Sequence, residues 1–409
     1  MKRRLGVTLL ALLAITGLAS WWCAAPRYAD VGMIRSGNRQ PGTVLSVTRV
    51  GGHSRPVLQA LLWWADLPVK VPVSDGIEMF RVDYWSQLDG RPVEASGLLA
   101  VPYTVLRGGP SRGTVVYLHG TSPDRANSPS APAVEEGLLP AAVFAGGGYT
   151  LLAPDYIGLG QSRAPQTYLD ADATAAAARD LIVAARHVGD AMKLAQSADL
   201  FCVGFSQGGH ATAVVQRALE TTPVTGVHVK AAAAISGAFD LAGISLPYAI
   251  RNRHPLYLAY LADSYALQYH QALGTLLVPK YAAVVPRLFD GNHSVDAISA
   301  GLPRDPHDLF LPARLAEFSV GKPNWFTAAL VANQAWNWAP KAPLRLYYGD
   351  RDQDVSPDDS KHFAATATRL GGNVQLVPLG PYDHGQSALH AVPLARQWFD
   401  QLSSPQRAF

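Results

Sequence analysis

From about residue 113 to residue 380 the chain alternates two kinds of segment. One kind is short and almost wholly apolar: GTVVYLHG (113–120), YTLLAPDY (149–156), LFCVG (200–204), VKAAAAISG (229–237), LRLYYGD (344–350) and VQLVPLG (374–380). The other kind has helical period: residues 133–146, DADATAAAARDLIVAARHV (170–188), GGHATAVVQRALE (208–220) and residues 389–402. A strand with no polar face must be covered on both sides, and helices between strands give parallel neighbours. The chain is therefore expected to be α/β, with a mostly parallel, doubly wound sheet. GIEMFRVDYWSQ (76–87) and VEASGLLAVP (93–102), joined at Asp89-Gly90, read as a hairpin ahead of it. Residues 26–72 read as a mixed lead-in punctuated by Pro and Gly.

The alternation stops between residues 241 and 340, where Tyr, Leu, Ala and Pro dominate. That stretch reads as an irregular helical insertion. The expected organisation is a targeting segment at 1–25, core at 26–240, insertion at 241–340 and core again at 341–409. A length of 409 residues fits one large domain with such an insertion. Hydrophobic residues at 48% and charged residues at 16% exclude a disordered chain. The net charge of +3 is dispersed, which argues against a nucleic-acid partner.

The N-terminus, MKRRLGVTLLALLAITGLASWWCAAP, puts basic residues ahead of an uncharged apolar stretch. Residues 5–25 as a helix would span roughly 30 Å, enough to cross a bilayer. The cleavage signal is poor, because Pro26 follows Cys23-Ala24-Ala25. Two readings stay open: a cleaved export signal, or a retained membrane anchor. Both put the chain outside the cytoplasm, in the cell envelope or secreted. The two cysteines, Cys23 and Cys202, offer no disulfide framework.

The sharpest chemical signal is CVGFSQGGHA (202–211). An apolar strand ends at Gly204, Ser206 follows, and Gly208 opens a helix. A serine in so sharp a turn is pushed above the strand ends, with small flanks relieving the crowding. Its hydroxyl needs a base. Of twelve histidines, His384 in GPYDHGQSA follows the last strand, in a loop. His390 sits in a helical run, His210 is locked beside the elbow, and His119 precedes the nucleophile. The acid should follow the penultimate strand, where YYGDRDQDVSP offers Asp350, Asp352 and Asp354. Asp352 lies three residues after Gly349 and three before Val355, and is the choice; Asp240 is the fallback. A calcium-loop reading of these aspartates fails, because Val355 holds the required glycine position and Lys361 the glutamate. The backbone N–H groups of Gln207 and of Thr121, after His119-Gly120, are the candidate oxyanion donors. Gly146-Gly147-Gly148 precedes a strand and is not a phosphate loop.

These residues resemble the α/β-hydrolase superfamily, and within it the lid-bearing secretory lipase family and its bacterial relatives. The carrying stretches are RVDYWSQLDGRPVEASGLLAVP, HGTSPDRANSPS, APDYIGLGQS, GFSQGGHA and YYGDRDQDVSP. The resemblance implies an esterase or lipase with Ser206, Asp352 and His384 as triad and a helical lid inserted before the acid. No cofactor or metal is implied, and the partner is a small-molecule or lipid ester. Acyl transfer to an alcohol would use the same residues. A non-catalytic envelope protein on this scaffold is the rival of a different class. The insertion's apolar residues, among them Tyr257, Tyr260, Tyr265, Tyr269, Leu276 and Leu277, either pack the insertion onto the sheet or form an acyl pocket above Ser206, and the pocket leads to an expected preference for medium or longer chains.

Overall fold

The computed structural model describes residues 38–131 and 135–403. The N-terminal segment read as signal or anchor, with Cys23, lies outside them. Among the described residues no helix is long and apolar enough to cross a membrane.

Among the described residues nine strands form one sheet: β1 (Val44–His53), β2 (Ile77–Leu88), β3 (Arg91–Pro102), β4 (Thr114–Leu118), β5 (Thr150–Pro154), β6 (Asp199–Phe205), β7 (His228–Ile235), β8 (Leu344–Tyr348) and β9 (Val374–Pro378). Their order is β1-β2-β3-β5-β4-β6-β7-β8-β9. From β5 to β9 all neighbours are parallel, while β1, β2 and β3 are antiparallel to one another and β3 is antiparallel to β5. The doubly wound sheet is thus present, with an antiparallel flank. Asp89-Gly90 makes the β2–β3 turn, with both residues at positive φ.

The described part of the expected lead-in, residues 38–72, is not merely a connection. It supplies β1 and the helix Arg55–Trp64. β1 is the sheet's edge, and only Val44 and Val47 of its residues are buried. A half-exposed edge strand does not need the apolar run that marks a central one.

Helices cover both faces. Ala171–Ala191, Gln207–Thr221 and Pro357–Arg369 pack one apolar layer, with Leu181, Val214 and Phe363 in it. Arg55–Trp64, Glu135–Phe144 and His384–Ser403 pack the other, with Leu58, Phe144 and Phe399. Between β7 and β8 the chain inserts six α-helices: Leu246–Arg251, Pro255–Gln268, Pro279–Leu288, Val295–Gly301, Pro312–Ser319 and Trp325–Ala332. Three of them start at a proline, whose missing N–H costs nothing in a helix's first turn. They close around their own apolar cluster, which holds Leu258, Tyr260, Tyr265, Leu276, Leu277, Phe310 and Phe326.

The last helix starts at His384, five residues before the sequence reading put it, and runs through Pro393. His384 is therefore a helix residue and not a loop residue. Asp383 and Gln386 explain the early start. The Gln386 N–H donates to the Asp383 carboxylate at 2.8 Å, and the Gln386 side chain accepts from the Asp383 N–H at 3.2 Å. That reciprocal pair is a capping box. Gly147 has a packing reason as well. A Cβ there would fall 1.8 Å from a guanidinium nitrogen of Arg396, a fully buried side chain of the last helix.

Candidate active site

Ser206 sits between β6 and the helix Gln207–Thr221 with φ 59° and ψ −119°. A side-chain-bearing residue pays strain at positive φ, on the order of 1–3 kcal/mol, so the surroundings must hold it there. They do so through the backbone. The Ser206 N–H donates to Ile235 O at 2.9 Å, and Ser206 O accepts from the N–H groups of Gly209 (2.8 Å) and His210 (3.2 Å). Gly204 and Gly208 let the turn close. A Cβ on Gly204 would meet Gly208 O at 2.2 Å, and one on Gly208 would meet Leu118 O at 1.8 Å.

Three side chains from three elements then meet. His384 Nε2 lies 2.9 Å from Ser206 Oγ, and His384 Nδ1 lies 2.7 Å from Asp352 Oδ2. A carboxylate only accepts, so Nδ1 carries the proton and Nε2 is left to accept from the serine hydroxyl. Asp352 is buried, and its Oδ1 accepts from the N–H groups of Asp354 (3.0 Å) and Val355 (2.9 Å). Those bonds fix the carboxylate's orientation. The ring of Phe205 lies against the imidazole at 4.4 Å between centroids.

The other acids and histidines go elsewhere. Asp350 is exposed, and Asp354 accepts from the Tyr257 hydroxyl at 3.1 Å. Asp240 caps the turn Leu241–Ser245 and faces His362. His210 is buried, with Nε2 2.8 Å from Asn333 O, and burial pushes its pKa down to about 4, so it stays neutral. His119 is buried and stacks on Tyr156; His390 stacks on Tyr382. Cys202 is buried in β6, and burial pushes its thiol up to about 12. Among the described residues, Asp352, Asp354 and His384 form the group whose donor atoms come close enough for a metal ion. Both imidazole nitrogens of that group are already engaged by the serine and the aspartate.

Gln207 heads its helix, where the leading N–H groups have no intrahelical acceptor and the positive end of the dipole faces the serine. Thr121 follows β4, and its hydroxyl lies 3.0 Å from the Tyr168 hydroxyl. Tyr168 was not singled out from sequence. It is buried, stacks on Tyr260 at 4.1 Å, and Tyr260 stacks on Phe289 at 4.5 Å. Its N–H also donates to Ser264 Oγ at 2.9 Å. The insertion thereby grips the loop that bonds Thr121. Tyr257, one of the insertion residues expected at an acyl pocket, does reach the site. Ser206 and Gln207 open onto a pocket walled by Tyr168, Leu241, Leu246 and Leu258, with Tyr257 and Asp354 at its edge.

The strand order and the strained serine between strand and helix define the α/β-hydrolase fold. Solved structures agree. A Legionella pneumophila protein described as a "putative hydrolase" superposes with a TM-score of 0.83 at 24% identity, over 90% of this chain and 99% of its own. The rice cell wall degrading esterase LipA from Xanthomonas oryzae gives 0.76 at 25%, over 89% and 98%. Candida antarctica lipase A in its closed state gives 0.64 at 12%, over 90% and 84%. No protein-family model matches the chain. No curated protein matches it either.

Proposed function

We propose that this chain is a serine hydrolase of carboxylic esters. The observation that carries the reading is the continuous hydrogen-bond chain from Ser206 Oγ through His384 to Asp352, at 2.9 and 2.7 Å. It begins at a serine opening onto an apolar-walled pocket. An esterase and a lipase among the superposing structures support it.

Ser206 attacks the ester carbonyl while His384 Nε2 takes its proton. Asp352 stabilises the imidazolium that forms. The N–H groups of Gln207 and Thr121 receive the developing oxyanion. His384 then protonates the leaving alcohol, and water, activated by the same imidazole, frees the acid from Ser206. The insertion, residues 241–340, covers the nucleophile as a lid. The basic and apolar N-terminal segment directs the chain out of the cytoplasm; the intact mass of envelope-fraction protein tells a retained anchor from a cleaved signal, and export fails if all of it stays in the cytoplasm.

A fluorophosphonate probe should label the native chain at Ser206. Ser206→Ala should lose labelling and fall in kcat by on the order of 10⁶ while keeping its fold. Ester turnover near the native rate by a folded Ser206→Ala protein would end this reading.

A further inference from the structure

The pocket onto which Ser206 opens is small. Its volume is about 50 Å³. A single water takes up roughly 10–15 Å³, so the pocket holds on the order of three to five water-sized groups, and a methylene is larger than a water. The walls are not free to retreat. Leu241, Leu246 and Leu258 are buried in the insertion's own apolar cluster. Tyr168 is pinned by its bond to Thr121 and its stack on Tyr260. Close-packed walls of this kind resist swelling by even one methylene.

The residues that suggested a long acyl site from sequence are used differently. Tyr260, Tyr265, Leu276 and Leu277 are buried within the insertion, where they hold its helices together. Of that set, Tyr257 reaches the pocket.

A second cavity lies across Tyr257, which borders both. Its volume is about 460 Å³, and Thr121 forms part of its wall. The pocket that Ser206 lines is thus the small one, and the cavity that Thr121 lines is the large one, with Tyr257 in the wall of each.

We propose that the substrate is an ester of a short acyl group, two to about four carbons long, on a bulky alcohol. The acyl group fills the pocket at Ser206, and the alcohol occupies the larger cavity. This assignment rests on the serine-hydrolase reading above.

The test uses the purified full chain and two ester series below their aggregation limits. The first holds the alcohol at p-nitrophenol and varies the acyl chain from two to twelve carbons. Each methylene that fits should raise kcat/KM about three- to fourfold if its burial is realised in the transition state. The rise should end near four carbons, and the octanoyl ester should be at least about tenfold slower than the best substrate. The second series holds the acyl group at acetyl and enlarges the alcohol from ethyl to naphthyl, with no loss of kcat/KM expected from size. Leu261→Ala, at the pocket wall, should move the acyl optimum up by one or two carbons, and Ala249→Leu should shorten it. The two variants carry opposite packing risks, so either one alone decides the point. A rate that climbs beyond eight acyl carbons, or falls steadily with alcohol bulk, overturns the assignment while Ser206 still labels with fluorophosphonate. No labelling and no turnover of any ester overturns the hydrolase reading and this assignment together.

Discussion

Asp350, Asp352 and Asp354 share one loop after β8, yet the middle one alone meets the imidazole. The reason is local. Two backbone N–H groups hold one oxygen of Asp352 and turn the other toward His384, while Asp354 is drawn to Tyr257. Asp352→Asn should remove the acceptor that fixes the imidazole tautomer and lower kcat by on the order of 10⁴. Asp350→Asn and Asp354→Asn should each cost less than about a hundredth of that loss. Steady-state kinetics on one ester decides it, and the assignment goes if Asp354 proves the sensitive position. The spacing around Asp352, three from Gly349 and three from Val355, is visible in the sequence. Tyr168 is not, because its place near Ser206 comes from long-range packing and no spacing encodes it; Tyr257 is marked only as one of the insertion's aromatic residues, and the same packing decides that it reaches Ser206.

Among the elements, the strands could be read because burial on both faces forces an apolar run, and β4 to β7 have one. β1 lacked it, being an edge. The final helix starts before the period at 389–402, because Asp383 and Gln386 form a cap that the sequence does display. The insertion's helices are marked by their prolines, but their pairing is not. The stack from Phe289 through Tyr260 to Tyr168 is the clearest product of that pairing, and it ends on Thr121. Tyr168→Phe keeps the ring and removes the hydroxyl. On the hydrolase reading it should lower kcat about three- to tenfold with KM little changed, since a lost hydrogen bond is worth about 0.5–1.5 kcal/mol and acts here through the loop that carries Thr121. In Thr121→Val the same change should have no further effect, because the pair is one unit. Additive losses in the double variant would show that Tyr168 does not act through Thr121.

For the molecule as a whole, the insertion carries a pH-dependent weakness. Asp263, in the helix Pro255–Gln268, is buried with one carboxyl oxygen unpartnered, and burial pushes its pKa up to about 7. An unfolded aspartate titrates near 3.9, so between roughly pH 4 and pH 7 the folded chain holds a proton that the unfolded chain has lost. Stability from this group is therefore full below about pH 4, declines as pH rises to about 7, and stays low above it. Asp263→Asn cannot titrate, and above pH 7 it should be more stable than the parent by on the order of 2–4 kcal/mol. Urea midpoints of both proteins between pH 4 and pH 8 check this; parallel slopes would mean that Asp263 is not the group responsible.

Arg396 has one more effect. Its guanidinium, buried in the space that Gly147 leaves empty, bonds Val143 O and Gly147 O, and its Nε reaches Asp400. It thus clamps the helix that begins with His384 to a segment synthesised 253 residues earlier. A growing polypeptide acquires its base 178 residues after its serine. On the hydrolase reading, copies that lack the helix His384–Ser403 are silent, and docking of that helix is the event that switches the hydroxyl on.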